Sequence, residues 1–330
     1  VRPEWSRREI VNQVIVVAID EESVEKLGPW GARWRTSHGR LLKNLADDGA
    51  RAVGFDVLFS VPSEEHDPAF LEGIRHARSK GTGVVVGMAY DTKRERLRYP
   101  ASPVREAVTD VASVYLQPDR VTNLIRYVSM FQPDGVAGEE ATRLVPAFSV
   151  AVALAGGKRV EDFPRYREGF MPIEYAGLSS SSFQAVPYAD VHEKRFSPGT
   201  FKRKYVVVGM FLEASKDFFD TPVESQMPGV VIHANALYTL LRGVRQPLEF
   251  PWRAVVVVAV AGVAGGICAR FRRLPRAFLV VTLVLGYWAL AIALGLTRNP
   301  LNLEVIPATV AAGLVWAGVT MGEKIVTMRE

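Results

Sequence analysis

VIVVAIDEESVEKLG, residues 14–28, decides how this chain folds. The first six residues are apolar and mostly β-branched, which suits a buried strand. The run ends at a carboxylate, Asp20. EESVEKLG then reads as a short helix closed by Gly28. A buried strand that runs straight into a helix opens a β–α unit.

The same alternation continues downstream. TSHGRLLKNLADDG (36–49) reads as a helix with Thr36 or Ser37 as N-cap and with Leu41, Leu42 and Leu45 on its apolar face. RAVGFDVLF (51–59) is a second strand. DPAFLEGIRHARSK (67–80) is a helix with Asp67 as N-cap and Pro68 at its first position. GVVVGMAY (83–90) is a third strand. Strands and helices in alternation predict a largely parallel sheet with right-handed crossovers. The middle is less regular. ASVYL (112–116) and RYVSMF (126–131) read as an antiparallel pair, LVPAFSVAVALAG (144–156) as an apolar helix, and MPIEY (171–175) as a strand. After a polar, serine-rich stretch, KYVVVGM (204–210) is a core strand, and PGVVIHANALYTLLRG (228–243) a closing helix bounded by Pro228 and Gly243.

Charge divides the chain. Of 40 basic and 35 acidic residues, 251–330 hold eight and three, so 1–250 carry 32 of each and are neutral. The net charge of +5 belongs to the C-terminal part. A nucleic-acid binder concentrates positive charge on its folded domain, so nucleic acid is excluded as a partner. The one cysteine, Cys268, allows no intrachain disulfide and no thiolate metal cluster.

Three apolar runs, about 250–269, 277–296 and 305–322, approach the ~20 residues that a helix needs to cross ~30 Å of hydrocarbon. ARFRRLPRAF (269–278) joins the first two and holds Arg270, Arg272, Arg273 and Arg276. Loops rich in arginine stay cytoplasmic. The expectation is therefore a three-helix transmembrane region (251–322) in the inner membrane. Residues 1–250 would form an extracytoplasmic domain, and 323–330 would begin a cytoplasmic linker. Phe250 and Trp252 would sit at the outer interface, with Arg253 snorkelling. Export of such a head predicts a further membrane segment upstream of Val1. Gly262 and Gly266, and Gly313 with Ala317, have spacings that let helices approach closely, within one subunit or between two.

VVAIDEESVEKLG, the tryptophan- and arginine-rich turn after it, and HGRLLKNLADDGARAVGFDVLF resemble the N-terminal signature of the CHASE2 domain. KYVVVGM followed by DFFDTPVESQMPGVVIHANALYTLL resembles its C-terminal signature. The resemblance covers about 14–243 and implies an extracytoplasmic sensor followed by three membrane helices. It further implies a cytoplasmic output: first a nucleotide cyclase, otherwise a histidine kinase, a Ser/Thr kinase or a diguanylate cyclase. Cyclases assemble their sites between two subunits, so that output implies a homodimer.

Ligands of open α/β sheets bind at the C-terminal ends of the strands. Asp20 and Asp56 fall there, and Asp217, Asp220 and His233 follow the late strand. Asp20, Asp56 and Asp220 could offer carboxylate oxygens to a divalent cation. The structural alternatives are that Asp20 only caps its helix and that Asp56 pairs with Arg33, Arg35 or a backbone N–H. His233 reads either as a hydrogen-bonded core residue or as a pH sensor. His38 and His66 read as exposed. Trp30, Trp34, Arg33 and Arg35 form either a recognition surface for a small ligand or an envelope protein, or a turn packed on the sheet. A scaffold that binds an envelope protein is the alternative to a sensor. No nucleophile elbow or HExxH-type motif supports catalysis.

Overall fold

The computed structural model describes residues 7–91, 96–119, 121–133, 144–164, 166, 169–243, 252–271, 273–296 and 305–327. The chain divides into two compact units, Val1–Val244 and Arg245–Glu330.

The first unit opens with α1 (Arg7–Val11), β1 (Val14–Ile19), α2 (Glu21–Leu27), α3 (Trp34–Asp47), β2 (Ala52–Leu58) and α4 (Asp67–Ser79). There follow β3 (Gly83–Asp91), β4 (Arg96–Arg98), α5 (Ser102–Ala107) and β5 (Asp110–Ser113). The middle holds β6 (Tyr127–Ser129), β7 (Phe131–Pro133), β8 (Leu144–Pro146), α6 (Phe148–Ala155) and β9 (Phe170–Pro172). The unit closes with β10 (Gln184–Pro187), α7 (Tyr188–His192), β11 (Tyr205–Met210), β12 (Phe218–Phe219), β13 (Met227–Pro228) and α8 (Gly229–Arg242).

The main sheet runs β10-β1-β11-β2-β3, all parallel, with β5 added parallel to β3 and β4 antiparallel to it. Alternation along each strand feeds two separate cores. Val14, Val16, Ala52, Val85 and Val207 face the layer of α6 and α8. Ile15, Val17, Ile19, Val53, Phe55, Val84, Val86, Val206 and Val208 face the layer of α3, α4 and α7. Leu41, Leu42 and Leu45 of α3 are fully buried there, each contributing about 2 kcal/mol. The three layers make an α/β sandwich.

Several elements differ from the sequence expectation. α3 starts at Trp34, and its N-cap is Arg33 with no side-chain cap bond, not Thr36 or Ser37. Its first turn is held instead by the Trp34 indole N–H, which donates to the Gly28 and Pro29 carbonyls at 3.1 Å. Asp67 is the first residue of α4 rather than its cap. It turns back to accept from the Ser63 N–H at 2.8 Å and to pair with the buried Arg35. The segments at 112–116 and 126–131 do not pair with each other. β5 extends the main sheet on β3, while β6 pairs with β9 and β7 with β8. Residues 144–146 form β8, and the helix begins only at Phe148, beyond Pro146. His38 is buried, not exposed, inside a shell of Trp34, Phe55, Phe59, Phe70 and Tyr188 rings.

The second unit consists of α9 (Trp252–Arg270), α10 (Arg273–Leu296) and α11 (Val305–Thr327). They pack through Ala264, Cys268, Val280 and Ala312, and the Trp288 indole donates to Thr309 Oγ1 at 2.9 Å. Added methyl groups at Gly262, Gly266 or Gly313 would meet nothing, so among the described residues these glycines mediate no helix contact. Among the described residues, no helix is long and apolar enough to cross a membrane. The expected three-helix transmembrane region is therefore corrected to three apolar helices. Arg270 ends α9, and α10 begins as early as Arg273, because Pro275 is tolerated in a first turn. Arg272 and the side chains of Arg253, Arg273 and Arg276 lie outside the described residues, as do Phe250, 297–304 and 328–330.

One contact tests the packing of the α3–α4 layer. A Cβ on Gly39 would fall 2.2 Å from the Ala69 carbonyl oxygen, and one on Gly73 2.4 Å from that of Gly39. These are backbone atoms that cannot rotate away. Gly39→Ala is expected to lower stability in urea melts by about 2–3 kcal/mol, against well under 1 kcal/mol for alanine at the open position Gly31.

Candidate functional site

The C-terminal edge of the sheet gathers two carboxylates and a histidine. β11 pairs with β2 only as far as Val208 opposite Phe55, and the β2–β3 register shifts between Phe55 and Leu58. Asp56 therefore sits where β2 leaves the regular ladder. Its side chain is only 8% exposed, and Oδ2 has no hydrogen-bond partner. His233 of α8 lies beside it, with Nε2 4.0 Å from Oδ2.

α8 reaches Asp56 because two glycines let it. A Cβ at Gly209 of β11 would meet Val230 Cβ at 2.7 Å and Asp56 Cβ at 3.3 Å. A Cβ at Gly229 would lie 2.7 and 2.8 Å from the carboxylate oxygens of Asp217. Gly229 N–H also donates to the Asp217 carbonyl at 2.9 Å. The Asp217 carboxylate thus rests against the first turn of α8, the end of a helix that favours negative charge.

Burial sets the protonation of the group. It pushes the Asp56 carboxyl well above the usual carboxylate range, and the neighbouring Asp217 adds to the rise. Burial also raises Asp217. It lowers His233 to about 4, against a hydrogen bond with the Val114 backbone that pulls the other way. A separation of 4.0 Å is too long for a hydrogen bond. Burial disfavours the charged form of both partners, so Asp56 and His233 form a contact of acid and neutral imidazole rather than an ion pair.

The other candidate residues go elsewhere. Asp20 caps α2: its Oδ1 accepts from the Ser23 N–H at 2.9 Å and from the Ser23 hydroxyl. Ser23 Oγ in turn accepts from the Ala189 N–H at 3.1 Å, tying α2 to α7. Asp220 accepts from the Gln226 N–H at 3.3 Å and shapes the β12–β13 turn. Asp56 pairs with neither arginine. Arg35 is buried with Asp67 and the Val61 carbonyl, its guanidinium 5.6 Å from the centre of the Phe59 ring. Arg33 donates to the Leu27 carbonyl at 2.9 Å. Trp34 is core, while Trp30 is 38% exposed and leans on it with ring centroids 5.0 Å apart. His38, absent from the sequence candidates, shares a hydrogen bond of 2.7 Å with the Tyr188 hydroxyl. Burial and the Arg35 charge lower its pKa to about 3.

Among the described residues no group of three or more His, Cys, Asp or Glu is placed to hold a metal ion. The N-terminal and C-terminal signatures meet at one sheet edge, and the CHASE2 domain matches the chain over residues 1–267. The chain belongs to the CHASE2 domain family. A CHASE2 domain is an extracytoplasmic sensory domain of signal-transduction receptors, and it is not a catalyst. No curated protein and no solved structure matches the chain.

The pH dependence of stability follows from these shifts. The folded chain holds the Asp56 proton more tightly than the unfolded chain does. Its contribution is therefore complete below the unfolded pKa and is lost as pH rises through the raised folded value. His233 and His38 work from the other side, losing stability as pH falls from about 6.5 toward their lowered values. Asp56→Asn should equal or exceed the parent in urea melts at pH 8, with the gap closing toward pH 4. A loss above about 2 kcal/mol at pH 8 would show that the carboxylate is ionised and paired.

Proposed function

We propose that the chain is the sensory part of a receptor that relays an extracytoplasmic stimulus to a cytoplasmic output, first an adenylate or guanylate cyclase. Histidine kinase, Ser/Thr kinase and diguanylate cyclase outputs are the alternatives within this reading. The family supports the sensor. The observation that carries the relay is the position of α8. It is the last helix of the first unit, and it bears His233, which reaches both Asp56 and the Val114 backbone at the binding edge.

A stimulus moves such a helix only by favouring one packing over another. Val230 against Gly209 and Asp217 against Gly229 are contacts without slack, so a change at the edge is felt along α8. A cyclase output implies that the receptor works as a homodimer.

Cells that carry the full-length receptor provide the test. Cyclic nucleotide should change with stimulus in the parent. Gly209→Ala, which pushes α8 off the sheet, should reduce that response at least about fivefold. An unaltered response in Gly209→Ala would sink the relay through α8. The placement of the head is checked separately. Cys268 is buried, so Ser180→Cys adds an exposed thiol to the head, and the parent receptor serves as the unlabelled comparison. A reagent that cannot cross the inner membrane should label it in intact cells.

A further inference from the structure

Beyond β5 the chain leaves the sheet and lines an open cavity of ≈ 290 Å³. Three aromatic rings, Tyr115, Tyr127 and Phe170, share its wall with Gln117, Asp119 and Gln132. The rings are 42%, 46% and 41% exposed. Register imposes this exposure on two of them. In the β6–β9 pair Tyr127 lies opposite Pro172, and Ser129 opposite Phe170. Side-chain alternation then puts Tyr127, Ser129 and Phe170 on one face, while Val128 and Met171 are buried on the other. Tyr127 and Phe170 are diagonal neighbours, close enough for one ligand to touch both.

The polar members are held in place. Asp119 Oδ1 accepts from the N–H groups of Val121 at 3.0 Å and Thr122 at 2.8 Å. Those bonds hold its carboxyl below the usual carboxylate range. Gln132 Oε1 accepts from the Ser113 hydroxyl at 3.1 Å, which sets the orientation of the amide.

We propose that this cavity binds a neutral saccharide of one or two pyranose rings. A pyranose offers an apolar C–H face to aromatic rings and hydroxyls that need donors and acceptors around its rim. The wall supplies both, in a volume at the small end of ligand cavities. A fixed carboxylate disfavours anionic sugars and phosphates. A quaternary ammonium ion would also accept aromatic faces and a carboxylate. It has no use for the two glutamine amides, so the wall favours the sugar.

The cavity lies one residue along the chain from the α8 contact described above. Tyr115 follows Val114, whose backbone is hydrogen-bonded to His233. Ile125 N–H, at the end of the Asp119 loop, donates to the Asp220 carbonyl at 2.9 Å. Transmission of occupancy to an output rests on the receptor reading; binding does not.

Calorimetric titration of the full chain with N,N′-diacetylchitobiose and maltose tests the site, with galacturonate and choline as charged comparisons. A neutral saccharide should bind. Tyr127→Ala and Phe170→Ala should each weaken binding by about tenfold with unchanged melting curves. Tyr127→Phe, which keeps the ring, should weaken binding less than Tyr127→Ala, and Val160→Ala, 50% exposed and outside the cavity, should retain it. Three results overturn the proposal: no saccharide binding up to about 10 mM, binding insensitive to both alanine variants, or binding of choline or galacturonate alone. A saccharide that binds here and leaves the cytoplasmic output unchanged defeats the relay and leaves the site standing.

Discussion

The first unit depends on β11 lying between β1 and β2. Residues 205–210 pair in parallel with 14–19 on one side and with 52–55 on the other. Take that strand away and both neighbours lose a ladder edge, while the two cores lose Tyr205, Val206, Val207 and Val208 together. A parallel strand at the centre of a sheet must be buried on both faces, which is why YVVVGM (205–210) is continuously apolar. Closing so long a loop adds little cost over closing a short one, since the penalty grows only with the logarithm of length.

The site is a consequence of that insertion. β11 carries Gly209 to the sheet edge, and the missing side chain admits α8. α8 then brings His233 to Asp56, and the turn before it brings Asp217 to Gly229. Asp56 and His233 are nearly dry there, and Asp217, partly buried, stands beside them. Full ionisation of all three would cost several kcal/mol in desolvation, so burial holds them toward their neutral forms.

Parts of this site could be read directly from residues. Asp20 before EES is a cap by local chemistry alone, and it proved to be one. Asp56 between Phe55 and Val57 was legible as buried, because its neighbours are strand core. Its relation to other groups was not legible. Arg33, Arg35 and a backbone N–H are the partners the sequence offers a buried Asp56, yet Asp67 claims Arg35 across the α3–α4 crossing. His38 looked exposed because Thr36, Ser37, Gly39 and Arg40 surround it in sequence. In space Gly39 is the close contact with α4 that carries His38 inward among aromatic rings. β10 carries no clear strand pattern for a related reason: it is an edge strand, half polar, after a serine-rich stretch.

Sequence alone determined the α/β class, the central apolar strands, the closing helix between Pro228 and Gly243, and the family. Each of these is written in short-range patterns: β-branched runs, period-matched leucines, a cap, a terminating glycine. Tertiary structure alone decided which strand lies beside which and which buried acid meets which base. It also decided that Tyr115, Tyr127 and Phe170 surround one cavity. Those outcomes depend on backbone approach at Gly39, Gly209 and Gly229 and on the register of β6 against β9. A glycine in a sequence permits a close approach without naming the partner, and a register is set only when two distant segments meet.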